Sequence, residues 1–250
     1  MLVLLPPSET KRTGGAGAPL RLESLALPTL RPERERVVAA LEDLSADEDR
    51  AARVLRLGAR QRGEIADNAA LRAAPTMAAV DRYAGVLYDA LQARTLPAAA
   101  RRWLGAHVLI HSAPFGPVGA LDGIPPYRLA AGTALPGVPA LRRLWAGAVT
   151  DALGGTGASF VLDLRSAAYA ALGPVPADLP HEVVRVVTEG ADGAVRALNH
   201  FNKHAKGAFV RALALDRPRI GSAAALERWA SGAGWMLRHG DGGAFELVVH

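Results

Sequence analysis

Three lysines stand against 26 arginines in this chain of 250 residues. Two of them lie three positions apart in Asn202-Lys203-His204-Ala205-Lys206-Gly207, and the third, Lys11, sits in Pro6-Pro7-Ser8-Glu9-Thr10-Lys11-Arg12. Arginine supplies positive charge everywhere else. The two cations are not equivalent: an ammonium gives up its proton when desolvated, whereas a guanidinium stays charged. Lysines retained against such a bias suit work that arginine cannot do, as a base or as a nucleophile toward a carbonyl. Spaced three apart, Lys203 and Lys206 share one side of a helix. At its first turns they would join ammonium groups to free backbone N–H groups and form an anion site, with a carboxylate such as Glu9 in reach. The competing reading is a solvated basic face.

Polar residues cluster at two further places. Ser8-Glu9-Thr10-Lys11 follows the apolar run Leu2 to Leu5, and Asp163-Leu164-Arg165-Ser166 closes the run that starts at Ser159. Segments just past the C-terminal end of a strand often line a crevice in α/β-type sheets. Two such strands ending at one edge would assemble a mixed-charge cleft, with Glu9 or Asp163 as acid–base partner to a lysine. The other dense patch is Asp122-Gly123-Ile124-Pro125-Pro126-Tyr127-Arg128-Leu129. Its prolines fix the backbone ahead of Tyr127 and Arg128. A rigid loop presenting both suits stacking or phosphate contact; a core tyrosine and a salt-bridged arginine fit the same residues.

These groups need elements to hold them. Leu2–Leu5, Val108–Ile110 and Ser159–Leu164 read as buried strands, and Thr76–Val80 as a short one. Residues 34–44, 62–72, 86–94, 98–104 and 201–215 read as helices. Ser45-Ala46-Asp47-Glu48 reads as a capping box opening a helix toward Leu57. Leu141, Leu144, Trp145, Ala148, Val149 and Ala152 fall on one face of a helix over 138–153. Ser112–Pro126 is dense in Pro and Gly and is expected to be irregular, as is the loop from Ser8 to Pro28. Two hairpins are expected, one through Asp192-Gly193 and one around Gly240-Asp241-Gly242-Gly243. Strands and helices intermingle without a clean βαβ period. The expectation is one α+β domain over residues 1–250, a mixed β-sheet flanked by helices.

Composition narrows the function. Half the residues are apolar and 21% are charged, as in ordinary globular domains. A net charge of +5 permits a nucleic-acid or phosphate-bearing partner without requiring one. The absence of cysteine excludes disulfide and thiol chemistry. Leu2–Leu5 is too short for a signal-peptide core, and no stretch approaches the roughly 20 apolar residues of a spanning helix. A cytoplasmic protein without a membrane partner is expected. No P-loop or dinucleotide fingerprint is present, so no cofactor is expected. The pairs His107/His111 and His200/His204 are the nearest approach to metal-ligand spacing, and no metal site is expected from them.

Taken in order, these segments resemble the YaaA family of peroxide stress proteins. The matching stretches are Met1 to Lys11, Leu121 to Leu129, Leu144-Trp145, Val161 to Tyr169, Phe201 to Gly207 and Glu246 to Val249. The resemblance implies a cytoplasmic protein with a mixed fold peculiar to the family, a positively charged cleft and a helix-hairpin-helix-like element. It also implies DNA binding and a part in the response to hydrogen peroxide. Carried over by position, the cleft residues are Ser8, Lys11, Tyr127, Arg128, Asp163, Ser166, Tyr169, Lys203 and Lys206, joined by Glu9 from the reading above. The helix-hairpin-helix-like part would occupy Ala212 to Trp235, with Arg217, Pro218, Arg219, Ile220 and Gly221 in the hairpin. The chain departs from the pattern in lacking a lysine-rich surface. Two functions remain open: DNA binding, and an enzyme acting on a nucleotide, nucleobase or other small anionic substrate in a lysine-containing pocket. The sequence does not fix the oligomeric state.

Overall fold

The computed structural model describes residues 1–189, 195–196, 199–240 and 244–249, with backbone alone for 189, 195–196 and 199–201. The N-terminal half carries β1 (Leu2–Leu5), β2 (Gly17–Pro19), α1 (Arg31–Ser45), α2 (Glu48–Leu55), α3 (Glu64–Ala69), β3 (Pro75–Ala78), α4 (Ala79–Arg82), α5 (Val86–Leu91), α6 (Ala98–His107), β4 (Val108–Ser112), β5 (Gly116–Gly119) and β6 (Gly123–Ile124). The C-terminal half carries α7 (Leu141–Gly154), β7 (Val161–Asp163), α8 (Ala167–Ala170), β8 (His181–Glu189), β9 (Val195–Arg196), α9 (Asn199–Asp216), α10 (Ala223–Gly232), β10 (Met236–His239) and β11 (Phe245–Val249). The architecture is α+β in a single domain.

The main sheet has the order β10-β11-β8-β7-β1-β4-β5, with β9 pairing on β8, and β2-β3-β6 form a small second sheet. β11, β8, β7, β1 and β4 run parallel, while β5, β9 and β10 are antiparallel additions. β1 is central: Leu4 stands opposite Leu109 on one side and Asp163 on the other. Its four residues are buried, as a strand covered on both faces must be. From β1 the chain reaches β4 on one side, then returns to place β7 on the other. A crevice opens at such a reversal, outside the carboxyl ends of the strands. The segment that leaves β1 there carries Lys11, and β7 ends there in Asp163.

Trp145 and Val149 of α7 are fully buried, as are Phe209, Val210 and Leu213 of α9. The α9 helix packs closely on α5, and Gly207 is the reason. A Cβ at Gly207 would collide with the backbone carbonyl oxygen of Leu87 and stand 2.9 Å from Ala90 Cβ. Gly207→Ala is expected to cost about 1–3 kcal/mol by overpacking, read as a lowered urea midpoint with an unchanged slope. A cost below about 0.5 kcal/mol would mean that α9 slides on α5 without penalty.

Several expectations shift. Ser112–Pro126 is not irregular throughout, because β5 and β6 lie within it. Gly116 adopts φ 62 and turns the chain over Trp145. β5 is an edge strand, where Pro117 is tolerated. Ser45 does not open a helix: it ends α1 and donates from Oγ to Leu41 O at 2.7 Å. Asp47 is the cap of α2 and accepts from Arg50 N at 2.9 Å. The helix over 62–72 shortens to α3, and the strand over 76–80 passes into α4 after Ala78. β9 pairs antiparallel with β8, but the turn through Asp192-Gly193 lies outside the described residues, as does the second turn from Asp241 to Gly243. β10 and β11 pair antiparallel as expected. The helix-hairpin-helix-like element is α9 and α10 joined through residues 217–222. Arg217 takes φ 53 there, and Ser222 Oγ accepts from Ala225 N at 3.3 Å. Among the described residues no helix is long and apolar enough to cross a membrane.

Candidate functional site

Lys11 leaves β1 on a short loop and is held against Tyr83 by an isolated β-bridge. Its Nζ donates to Ser8 O and Glu9 O, both at 3.1 Å, so the loop wraps its own ammonium. Beneath Nζ lies the ring of Tyr127, 4.1 Å to its centre, with the Tyr83 ring at 5.7 Å. The ring face favours charge on the amine. Burial works against it, and the Arg128 guanidinium adds repulsion that Glu64, Glu9 and Asp67 answer in part. The balance lowers the Lys11 pKa to about 7.

Arg128 is fixed from behind by Asn68 of α3, which is fully buried. The backbone N–H of Arg128 donates to Asn68 Oδ1 at 2.7 Å, and its C=O accepts from Asn68 Nδ2 at 2.9 Å. In front, Arg128 Nη2 reaches Glu9 Oε2 at 3.0 Å and Nη1 reaches Glu64 Oε2 at 3.5 Å. One small pocket is lined by Ser8, Glu9, Lys11, Tyr127, Arg128, Leu129, Ala130 and Tyr169. Six of the ten sequence candidates therefore meet in one hollow. Its charge is mixed in sign.

The wall behind is phenolic. The Tyr83 and Tyr127 hydroxyls are 2.8 Å apart and buried. The Tyr88 ring lies tilted against that of Tyr83, 5.2 Å between centres, and its hydroxyl donates to Pro6 O at 2.7 Å. With Tyr169, all four tyrosines of the chain gather here. Burial raises the pKa of each, that of Tyr169 to about 12.

Asp163 and Lys206 lie in a buried layer at the end of β7, outside the lining of that pocket. Arg165 grips Asp163 with both arms, Nε to Oδ1 at 2.9 Å and Nη2 to Oδ2 at 2.7 Å. Arg165 Nη1 also donates to Gly173 O at 2.8 Å and meets His111 Nδ1 at 2.9 Å. A guanidinium only donates, so His111 accepts at Nδ1 and carries its proton on Nε2. Burial and Arg165 hold His111 neutral, well below its ordinary value. Its Nε2 has no hydrogen-bond partner among the described residues. Lys206 Nζ donates to Leu164 O at 3.0 Å, and burial lowers its pKa to about 8 against the pull of Asp163. Both lysines hold their proton less tightly folded than unfolded. Each therefore adds stability as pH rises from its lowered value toward 10.5.

Ser166, at the start of α8, and Lys203, on α9, are exposed. His107 and His111 do not converge on a metal site. His107 ends α6 stacked on Trp103 at 4.7 Å, while His111 is on β4; the His200 side chain lies outside the described residues. No group of three potential metal ligands occurs among the described residues. Sequence reading missed Asn68, Glu64 and Tyr83, and met His111 only as half of a pair spaced for a metal. The acidic first turn of α3 was the one available signal, and nothing local tied it to Arg128.

A family model described as peroxide stress protein YaaA matches residues 1–239. A UPF0246 protein of Corynebacterium efficiens is 46% identical over 247 residues, covering 97% of this chain and 96% of the relative. A UPF0246 protein of Corynebacterium glutamicum is 42% identical over 95% of this chain and 94% of its own length. One from Streptomyces coelicolor is 43% identical over 85% of this chain and 82% of its own length.

Proposed function

We propose, from the premise that the chain belongs to the peroxide stress protein YaaA family, that the pocket at the carboxyl end of β1 is an enzyme site for a small anionic substrate, with Lys11 as its reactive amine. One observation carries this reading. Lys11 sits between two backbone carbonyls and a tyrosine face with a pKa of about 7. About half of it is then neutral at pH 7, and a neutral amine accepts a proton or attacks a carbonyl directly. Arg128 supplies the charge that orients an anion. Tyr127 and Tyr169 keep water off the reacting atoms. The hollow is too small for a duplex, and it opens to a small molecule only where that molecule displaces the exposed Glu9 side chain.

Limited acetylation of the folded protein, read by peptide mass spectrometry across the neutral range, tests this. Lys11 modification is expected to rise with a midpoint near pH 7. A midpoint above about 9, close to an ordinary lysine, removes Lys11 from the chemistry.

A second reading is DNA binding through a positively charged cleft, in the peroxide stress that the family description names. It is favoured by the connection between α9 and α10, which exposes Arg217 and Arg219 beside Gly221. Anisotropy with duplex DNA should show affinity falling with salt. Arg217→Ala with Arg219→Ala should flatten that dependence by about 1.8 in log–log slope, as two lost phosphate contacts require. An unchanged slope removes this surface from DNA contact. Both readings place the protein in the cytoplasm, in keeping with a chain that has no cysteine.

A further inference from the structure

The Glu9–Arg128 contact joins two unequally anchored halves. Arg128 is clamped by Asn68 through both backbone groups, and its side chain is 16% exposed. Glu9 stands on the loop after β1 with its side chain 73% exposed. Arg128 is the one ion-pair partner of its carboxylate among the described residues. An exposed pair of this kind holds weakly, by about 0–1 kcal/mol. A loosely held carboxylate therefore lies on a fixed guanidinium, directly beside a wrapped amine.

We infer that Glu9 stands in for a substrate carboxylate, and that the site takes a singly charged oxo acid whose carboxylate displaces Glu9 from Arg128 while its carbonyl carbon meets Lys11 Nζ. This rests on the reading of Lys11 as the reactive amine. Charge separates a carboxylate from a phosphate. Once Glu9 swings out, Arg128 still faces Glu64, and Lys11, neutral when it attacks, faces Glu64 and Asp67, so no surplus positive charge is left to hold a dianion. A carboxylate matches the single charge of the group that it replaces, whereas a phosphate dianion brings excess negative charge toward Glu64. Burial and the Glu64 charge already raise the Asp67 pKa, a sign that further negative charge is poorly received here.

The step balances without an outside oxidant or reductant. The Lys11 lone pair adds to the carbonyl carbon, and the C=O π pair moves to oxygen. Nitrogen yields its protons to that oxygen, which leaves as water, and the product is an imine between Lys11 and the oxo acid. The lowered amine pKa keeps the attacking form populated at neutral pH.

The full chain is incubated with pyruvate, levulinate or butanone, reduced with borohydride and mapped by peptide mass spectrometry. Pyruvate or levulinate should be trapped on Lys11 about tenfold or more above butanone, which has no carboxylate for Arg128. Lys11→Arg should remove the adduct from that peptide. Glu9→Gln should lower the half-saturating concentration of the trapped acid by about two- to fivefold, since the competing internal group is gone. Equal trapping of butanone overturns the oxo-acid assignment and leaves the reactive lysine standing. Unchanged or weaker trapping in Glu9→Gln overturns the stand-in role. No adduct from any carbonyl, in a protein whose Lys11 acetylates with a midpoint near pH 7, overturns imine formation alone.

Discussion

Asp163→Ala should destabilise the fold by about 3–5 kcal/mol, the usual cost of leaving one half of a buried ion pair alone. The Arg165 side chain is fully buried and Asp163 is 5% exposed. Asp163 accepts from the Arg165 side chain at both oxygens and from its backbone N–H at 3.0 Å. Alanine leaves the guanidinium with Gly173 O and His111, neither of which carries a compensating charge. Urea unfolding followed by circular dichroism measures the loss. The double change Asp163→Leu with Arg165→Met should cost less than Asp163→Ala alone, because it removes both charges together. If Asp163→Ala costs under about 1 kcal/mol, water reaches Arg165 and the buried layer beneath β7 is not dry.

Asn68→Ala should cost about 2–6 kcal/mol and also loosen the site. Asn68 is fully buried and closes two hydrogen bonds to one residue, the N–H and the C=O of Arg128. Each backbone group left unpaired costs about 1–3 kcal/mol. The second effect is positional: Arg128 no longer has a fixed place opposite Glu9 and Lys11. In the borohydride experiment, Asn68→Ala protein that is still folded should lose much of its preference for an oxo acid over butanone. An unaltered preference would show that Arg128 is held by Glu64 and Glu9 instead.

Part of this was legible from local pattern. Leu2–Leu5 declares itself as a strand because four apolar residues run into two prolines, and Lys11 follows so closely that no other element can intervene. Tyr127 and Arg128 were visible because Pro125-Pro126 stiffens their approach. The rest depends on contacts that no window contains. Glu64 and Asn68 reach Arg128 across about 60 residues, and their helix looks like any short surface helix. Asp163 looked like a free acid–base group, yet Arg165, two residues on, already holds both its oxygens. That pairing needs the chain to bend as β7 ends, which the sequence does not announce. The resemblance implied a positively charged cleft, whereas the acids that offset Arg128 come from separate elements that no local pattern joins to it.

The gathering of every tyrosine behind one pocket makes the protein its own optical reporter. With all four phenol pKa values raised, native protein in mild alkali stays dark in the phenolate band, while a solvated tyrosine ionises near pH 10. Phenolate absorption that appears earlier marks opening of this region and no other, without any attached dye.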